Sequence, residues 1–263
     1  MRPHSLLDLA RDAPLVIAHR GASRAAPGNS LEAFESAIEA GADAVELDAR
    51  RTSDGVLVVH HGASRRGTPV SLLTLAELRR RCRNKPPTLD EVVALCAGRI
   101  GLNVEVKEPG YEAQLLEVVS AHVDRQDLLV TSFHPAVVMA VKALQQDVVC
   151  GLLIGTGGMS RYRSRIEALP LELARRCAAD FIAPHQLWLA VRPHSRRRPL
   201  GGSPVLAAAH DAGVPVVVWT VNGEARLRGY LADPRIAGII TDLPAVAAQL
   251  RQTRIRAANP PSS

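Results

Sequence analysis

The feature that most constrains this chain is an alternation. From residue 14 to residue 242, short runs rich in Val, Ile and Leu take turns with stretches rich in Ala, Leu, Glu and Arg. Repeated βα units of this kind wrap helices around a parallel sheet, whereas separate β and α blocks would keep the two periodicities apart. Strand-like runs fall at 14–19, 43–49, 55–60, 100–107, 128–133, 148–154, 180–185, 215–221 and 236–242. Between the second and third only "RRTSDG" intervenes, and a parallel crossover needs about a dozen residues. A hairpin is therefore expected there, turning near Ser53 and Asp54 and bringing His61 back close to the level of Glu46. Without this return strand eight βα repeats remain, the number that closes an α/β barrel of the (β/α)8 TIM type. One such barrel domain is expected over 1–250, with residues 251–263, "RQTRIRAANPPSS", as a frayed tail. Asn29 with Glu32, and Thr88 with Glu91, read as helix starts; Gly41 and Gly98 read as the matching stops.

Aromatic residues make up only 3% of the chain against 47% apolar residues overall, so the core must come from Ala, Val, Leu and Ile. The formal net charge is +6, and apart from Lys85, Lys107 and Lys142 every basic residue is arginine. Such an excess attracts anions, but no basic helix or aromatic-interleaved basic stripe is present, which argues against nucleic acid as a partner. Cys82, Cys96, Cys150 and Cys177 lack zinc-binding spacing and read as free thiols in a reducing compartment. Asp8, Arg11, Asp12 and Pro14 interrupt the first apolar run, and no span of about 20 apolar residues occurs, so a cytoplasmic location without a transmembrane segment is expected. The segment 155–165, "GTGGMSRYRSR", reads as a rim loop because it lacks the lysine and hydroxyl spacing of a P-loop, and 192–199, "RPHSRRRP", as a solvated basic loop.

In a barrel of this type, catalytic groups sit at the C-terminal strand ends. His19 and Arg20 follow the first strand, Glu46 and Asp48 lie on the second, and Glu105 and Lys107 on the next parallel one. Residues two apart share a face, so Glu46 pairs with Asp48, and Asn103 lines up with Glu105 and Lys107. Two carboxylates about 4 Å apart repel by on the order of 4 kcal/mol at an effective dielectric of 20. A hard divalent cation, Mg²⁺ or Ca²⁺, held by the oxygens of Glu46, Asp48 and Glu105 relieves that repulsion. His19 and His61 flank the acids, as a general acid and a general base on opposite sides of a reacting centre would. His60 is expected to face away by strand alternation. Arg20 and Lys107 would hold the remaining charge of an anionic substrate, which points to a phosphate ester. His134 and His185 also end strands, Trp219 is a candidate substrate contact, and Asn222 and Asp242 end the last two strands.

The segments "IAHRGAS…APGNSLEAF", "GADAVELDARRTSDGVLVVHH", "PTLDEVVAL", "LNVEVK", "VTSF", "VVVWTVN" and "GIITDLP", in that order, resemble the glycerophosphodiester phosphodiesterase family from about residue 15 to residue 247. The resemblance implies a TIM-barrel enzyme that uses one divalent cation to cut glycerophosphodiesters to glycerol 3-phosphate and an alcohol. It implies His19 and His61 as the acid/base pair, Arg20 and Lys107 as phosphate contacts, and Glu46, Asp48 and Glu105 as metal ligands. The chain departs from the family pattern at Gly28, where a glutamate is usual, and at Gly62, where an aspartate usually follows the histidine. The cap between His61 and Glu105 is reduced to "GASRRGTPVSLLTLAELRRRCRNKP". A more open mouth follows, able to admit bulkier diesters including lysolipids. A lysophospholipase D-like or sphingomyelinase D-like route through a cyclic phosphate, and a non-catalytic barrel that binds such diesters, are the rival readings.

Overall fold

The computed structural model describes residues 5–11, 13–156, 169–189 and 203–258. Strand β1 (Leu15–His19) shows the logic of the whole chain: Leu15 and Ile17 point into one apolar cluster, while Val16 and Ala18 point into another. After it come α1 (Leu31–Glu39), β2 (Ala44–Arg51) and β3 (Leu57–Val59). A small cap follows, made of β4 (Ser64–Arg65), β5 (Thr68–Pro69) and α2 (Leu75–Arg81). Strand and helix then alternate as α3 (Leu89–Cys96), β6 (Gly101–Val106), α4 (Glu112–Ser120), β7 (Leu128–Ser132), α5 (Pro135–Leu144), β8 (Val149–Ile154) and α6 (Leu169–Arg176). The last units are β9 (Phe181–Pro184), α7 (Pro204–Asp211), β10 (Val217–Val218), α8 (Glu224–Ala232), β11 (Gly238–Thr241) and α9 (Pro244–Ala258).

Among the described residues, eight strands run parallel in the order β10–β11–β1–β2–β6–β7–β8–β9. Bridges Ile182↔Val216 and His185↔Trp219 bring the two ends of this sheet together into a barrel. The extended stretch expected at 215–221 is ladder-paired only over Val217–Val218, because its flanks engage β9 through those isolated bridges. β3 returns antiparallel along β2, with Ala49 opposite Val59 and Arg51 opposite Leu57. The turn closes through Gly55 N donating to Thr52 O at 3.0 Å.

The barrel interior holds Leu15, Ile17, Ala44, Leu129, Phe181, Val217 and Ile240, with Leu6 of the N-terminal 3-10 turn packed against its lower end. Gly151 is obligatory there: a Cβ would stand 2.2 Å from the Phe181 ring. The outer faces of the strands meet the helices in a larger Val- and Leu-rich layer, as the composition requires. The cap has its own core of Val58, Val70, Leu73 and Leu78. α2 starts from a Thr74/Glu77 capping box, and α3 from the expected Thr88/Glu91 one.

Two expectations are corrected. α1 is capped by Ser30, whose hydroxyl accepts from Ala33 N, and not by Asn29. Asn29 stands at φ 62° with its amide committed elsewhere. The tail does not begin at residue 251, because α9 runs on to Ala258. Arg251 ion-pairs with Asp43, and Arg254 donates to Leu231 O, so long polar side chains hold this part of the helix where an apolar stripe is lacking. The loop readings for 157–165 and 192–199 lie outside the described residues.

Candidate active site

Strand register stacks the polar residues in two levels at the C-terminal end of the barrel. His19 of β1 lies opposite Glu46 of β2, which lies opposite Asn103 of β6. One level up, Asp48 is opposite Glu105, and Glu105 is opposite Thr131. Glu46, Asp48 and Glu105 are 4%, 0% and 7% exposed, and each can offer an oxygen within 4.8 Å of the other two. The expected convergence of three acids is present.

Their electrostatics differ by neighbour. Burial, then the charges of Asp48 and Glu105, push the Glu46 carboxyl well above its usual range. Burial also raises Glu105, although Lys107 opposes it. Burial would raise Asp48 too, but the His61 hydrogen bond and the cations Lys107 and Arg20 outweigh it and hold that carboxyl far below the ordinary value. Lys107 Nζ stands 3.0 Å from Asp48 Oδ1 and 2.6 Å from Glu105 Oε1, which keeps it a cation despite burial. Arg20 Nε lies 3.2 Å from Asp48 Oδ2 without hydrogen-bond alignment, an attraction of charges and not a directed bond. Its backbone N–H donates to Glu46 Oε2 at 2.9 Å. The buried Asn103 Nδ2 finds no hydrogen-bond partner among the described residues, while Asn103 Oδ1 accepts from Thr131 Oγ1 at 3.0 Å. Three buried carboxylate groups, two of them destabilised as anions by one another and by burial, make a donor set that fits a hard cation.

Both histidines are oriented by carboxylates. His19 Nδ1 is 2.6 Å from Asp242 Oδ1. His61 Nδ1 is 3.2 Å from both oxygens of Asp48, and its Nε2 is 3.4 Å from Arg20 Nη2. A carboxylate only accepts, so each imidazole carries its proton on Nδ1 and leaves Nε2 for proton exchange. His61 thus sits against Asp48, not at the level of Glu46, because His60 N donates to Asp48 O at the end of the hairpin. Its side chain is 52% exposed, facing the mouth. His60 does not turn away as alternation implied: β3 ends at Val59, and beyond it both histidines line one cavity.

That cavity, about 490 Å³, is bounded by His19, Arg20, Asn29, His61 and Asp242 on the barrel side and by the cap on the other. Trp219 is not among its lining residues. It stands on another arc of the barrel mouth, at the end of β10, donating to Ala183 O at 2.6 Å and meeting Phe133 and His185 edge-on at 5.5 and 5.0 Å. His134 is exposed at the start of α5.

Several residues of the site carried only faint sequence signals. Asn29 Nδ2 donates to Asp48 Oδ2 at 2.7 Å, its own Oδ1 accepting from Asp48 N. Asp242 also accepts from Asn222 Nδ2 at 2.5 Å and Ser23 Oγ at 3.1 Å; burial opposes its ionisation, but His19 and these donors hold its carboxyl below the usual range. Arg50 Nη2 donates to His61 O at 2.8 Å, and its Nε to His60 O at 3.1 Å, pinning the end of the return strand. A charged residue inside an otherwise apolar strand was its only signal.

The model of the glycerophosphoryl diester phosphodiesterase family matches residues 19–246. The chain belongs to that family. It is an enzyme, a phosphoric diester hydrolase, built on the family's barrel. A glycerophosphodiester phosphodiesterase of Caldanaerobacter subterraneus subsp. tengcongensis is 28% identical over 251 residues, covering 88% of this chain and 94% of that one. A glycerophosphodiester phosphodiesterase structure from Thermotoga maritima aligns with TM-score 0.71 at 24% identity, over 90% of this chain and 98% of that one. An Oleispira antarctica phosphodiesterase solved with its product sn-glycerol-3-phosphate gives 0.76 at 24% identity, over 95% and 100%. At such identities the two structures establish a shared barrel fold. The four cysteines are free thiols, and no helix among the described residues is long and apolar enough to cross a membrane.

Proposed function

We propose that this family member hydrolyses glycerophosphodiesters to glycerol 3-phosphate and an alcohol with the help of one divalent cation, Mg²⁺ or Ca²⁺. The single observation that carries the reading is the placement of two carboxylate-oriented imidazoles, His19 and His61, around the buried cluster of Glu46, Asp48 and Glu105. Glu46, Asp48 and Glu105 would hold that cation, which would neutralise them and supply Lewis-acid polarisation to the phosphoryl group. Arg20 and Lys107 bind the phosphate's remaining charge. One imidazole Nε2 takes the proton of the attacking hydroxyl as its oxygen bonds to phosphorus. The bond from phosphorus to the leaving alcohol breaks, and the other imidazole supplies that oxygen with a proton. The attacking hydroxyl is either water, which gives glycerol 3-phosphate directly, or the substrate's own glycerol hydroxyl, which gives a cyclic phosphate whose ring P–O bond a water must then break to yield glycerol 3-phosphate. Phosphorus NMR distinguishes the two by detecting the cyclic species.

The short cap leaves space for alcohols larger than glycerol, lysolipids among them, with Trp219 and the exposed Phe133 as apolar contacts across the mouth. Activity limited to glycerophosphoglycerol-sized substrates would remove this part of the reading. The main test is release of glycerol 3-phosphate and free alcohols from a panel of diesters, with and without chelator. Turnover is expected to vanish with chelator and return with Mg²⁺ or Ca²⁺. His19→Ala and His61→Ala should each lower kcat by about 10²–10⁴-fold with unchanged circular dichroism. Near-normal rates in either variant, or full activity in chelator, would overturn the proposal.

A further inference from the structure

The cavity in front of the histidines has a charge pattern that hydrolysis of a single phosphodiester does not require. Its cap-side wall carries Arg65, Arg83 and Lys85. The acid lining it is Asp242, whose oxygens are already taken by His19, Ser23 and Asn222. Arg83 and Lys85 are exposed and make no ion pair among the described residues, while Arg65 spends its Nε on Arg81 O at 3.2 Å. Arg20 and Lys107, which face the acid cluster, are separate from this wall.

The wall is held in place. Arg79 Nε donates to Pro86 O at 3.0 Å and Val59 N to Pro87 O at 2.9 Å, so the segment carrying Arg83 and Lys85 is tied to both α2 and β3. Its chemistry also excludes one class of ligand. No Phe, Tyr or Trp lines the cavity, so there is no aromatic face for a quaternary ammonium group, and three cations would repel one.

We propose that Arg65, Arg83 and Lys85 form a second anion subsite, which selects diesters whose alcohol bears its own negative charge, such as a phosphate monoester or a carboxylate. The proposal rests on phosphodiester hydrolysis at His19 and His61 and adds the class of substrate that reaction takes. Clustered cations in a concave site raise the local concentration of an anionic ligand and lose that advantage as salt screens them.

The experiment compares kcat/KM for glycerophosphocholine, glycerophosphoglycerol, and glycerophosphoglycerol carrying a terminal phosphate. The phosphorylated diester should exceed glycerophosphoglycerol by about tenfold at low ionic strength, through KM, and the gap should shrink in about 0.5 M NaCl. Glycerophosphocholine should be the poorest of the three. The double variant Arg83→Ser/Lys85→Ser, at two exposed positions, should bring the phosphorylated and neutral diesters within twofold of each other. Equal kcat/KM for all three, a preference for choline, or an undiminished preference in the double variant would overturn the subsite. If none of the diesters is cleaved, the hydrolytic reading itself fails. Calorimetric binding of the phosphorylated and neutral diesters then decides the subsite by itself, equal affinities counting against it.

Discussion

In the proposed mechanism Asp242 acts through His19, whose ring it orients, and so is a positioning residue. Its carboxylate is tied by Asn222 and Ser23, so the oxygen facing His19 is fixed in direction as well as in charge. An imidazole held this way keeps its proton on Nδ1 and its lone pair on Nε2. Asp242→Asn is nearly the same size but presents an amide that can donate, which favours the wrong tautomer. The expected result is a fall in kcat of about 10- to 100-fold with KM changed less than twofold, read by steady-state kinetics. A rise in KM at constant kcat would instead assign Asp242 to substrate binding. His19 and His61 were legible because histidines at strand ends flank acids two residues apart. Asp242 was visible only as a strand-end residue of unassigned role, since its partner lies 223 residues away in sequence. Asn29 was misread for a subtler reason. Asn and Ser are both good helix caps, they stand side by side at 29 and 30, and the left-handed backbone of Asn29 gives the cap to its neighbour.

At the scale of elements, the β2–β6 pair concentrates the cost of the site. Glu46 is raised by burial and by the acids beside it, so the folded state binds its proton more tightly than the unfolded chain does. This group therefore costs nothing below its unfolded value near pH 4, and stability falls as pH climbs from there toward the raised folded value, where the unfolded chain has lost the proton that the folded state still holds. Glu46→Gln keeps an acceptor for Arg20 N and removes the charge. In chelator at pH 8 the variant should therefore melt above the wild type by about 2–4 °C, the shift about 1 kcal/mol gives a chain of this size, and the gap should close toward pH 4. Added Mg²⁺ or Ca²⁺ should raise the wild-type melting temperature more than that of the variant. A variant less stable than wild type at pH 8 would mean that the cluster is already compensated by Lys107 and Arg20. The strands bearing this cluster were readable from their apolar runs. The internal arrangement of the cap was not, because its core is as small as Val58, Val70, Leu73 and Leu78 and carries too little periodicity to announce a fold.

Over the whole molecule, what keeps the site in register is closure of the ring, and closure depends on the end of the chain meeting its beginning. β11 pairs with β1, and α9 then crosses so that Arg251 reaches Asp43, whose Oδ2 also accepts from Val16 N at 2.7 Å. One carboxylate thereby joins β1, the approach to β2 and the final helix. The eight-unit count was legible because each strand needs an apolar inner face and each helix an apolar stripe. The end of α9 was not, because its anchorage is two arginines, and a sequence rich in solvated arginine gives no sign of which ones reach inward. Arg251 keeps only 16% of its side-chain surface exposed and Asp43 23%, so the pair is more shielded than an open surface bridge. Arg251→Ala should lower unfolding stability by about 1–3 kcal/mol, the penalty for leaving a partly buried charged acceptor with fewer partners. Urea unfolding would show it as a lower midpoint at unchanged slope. Truncation after residue 250 should cost at least as much, because Arg254 and Leu231 O separate as well. A truncated protein with the wild-type midpoint would show that β11–β1 pairing closes the barrel unaided and that the last turns of α9 merely rest on it.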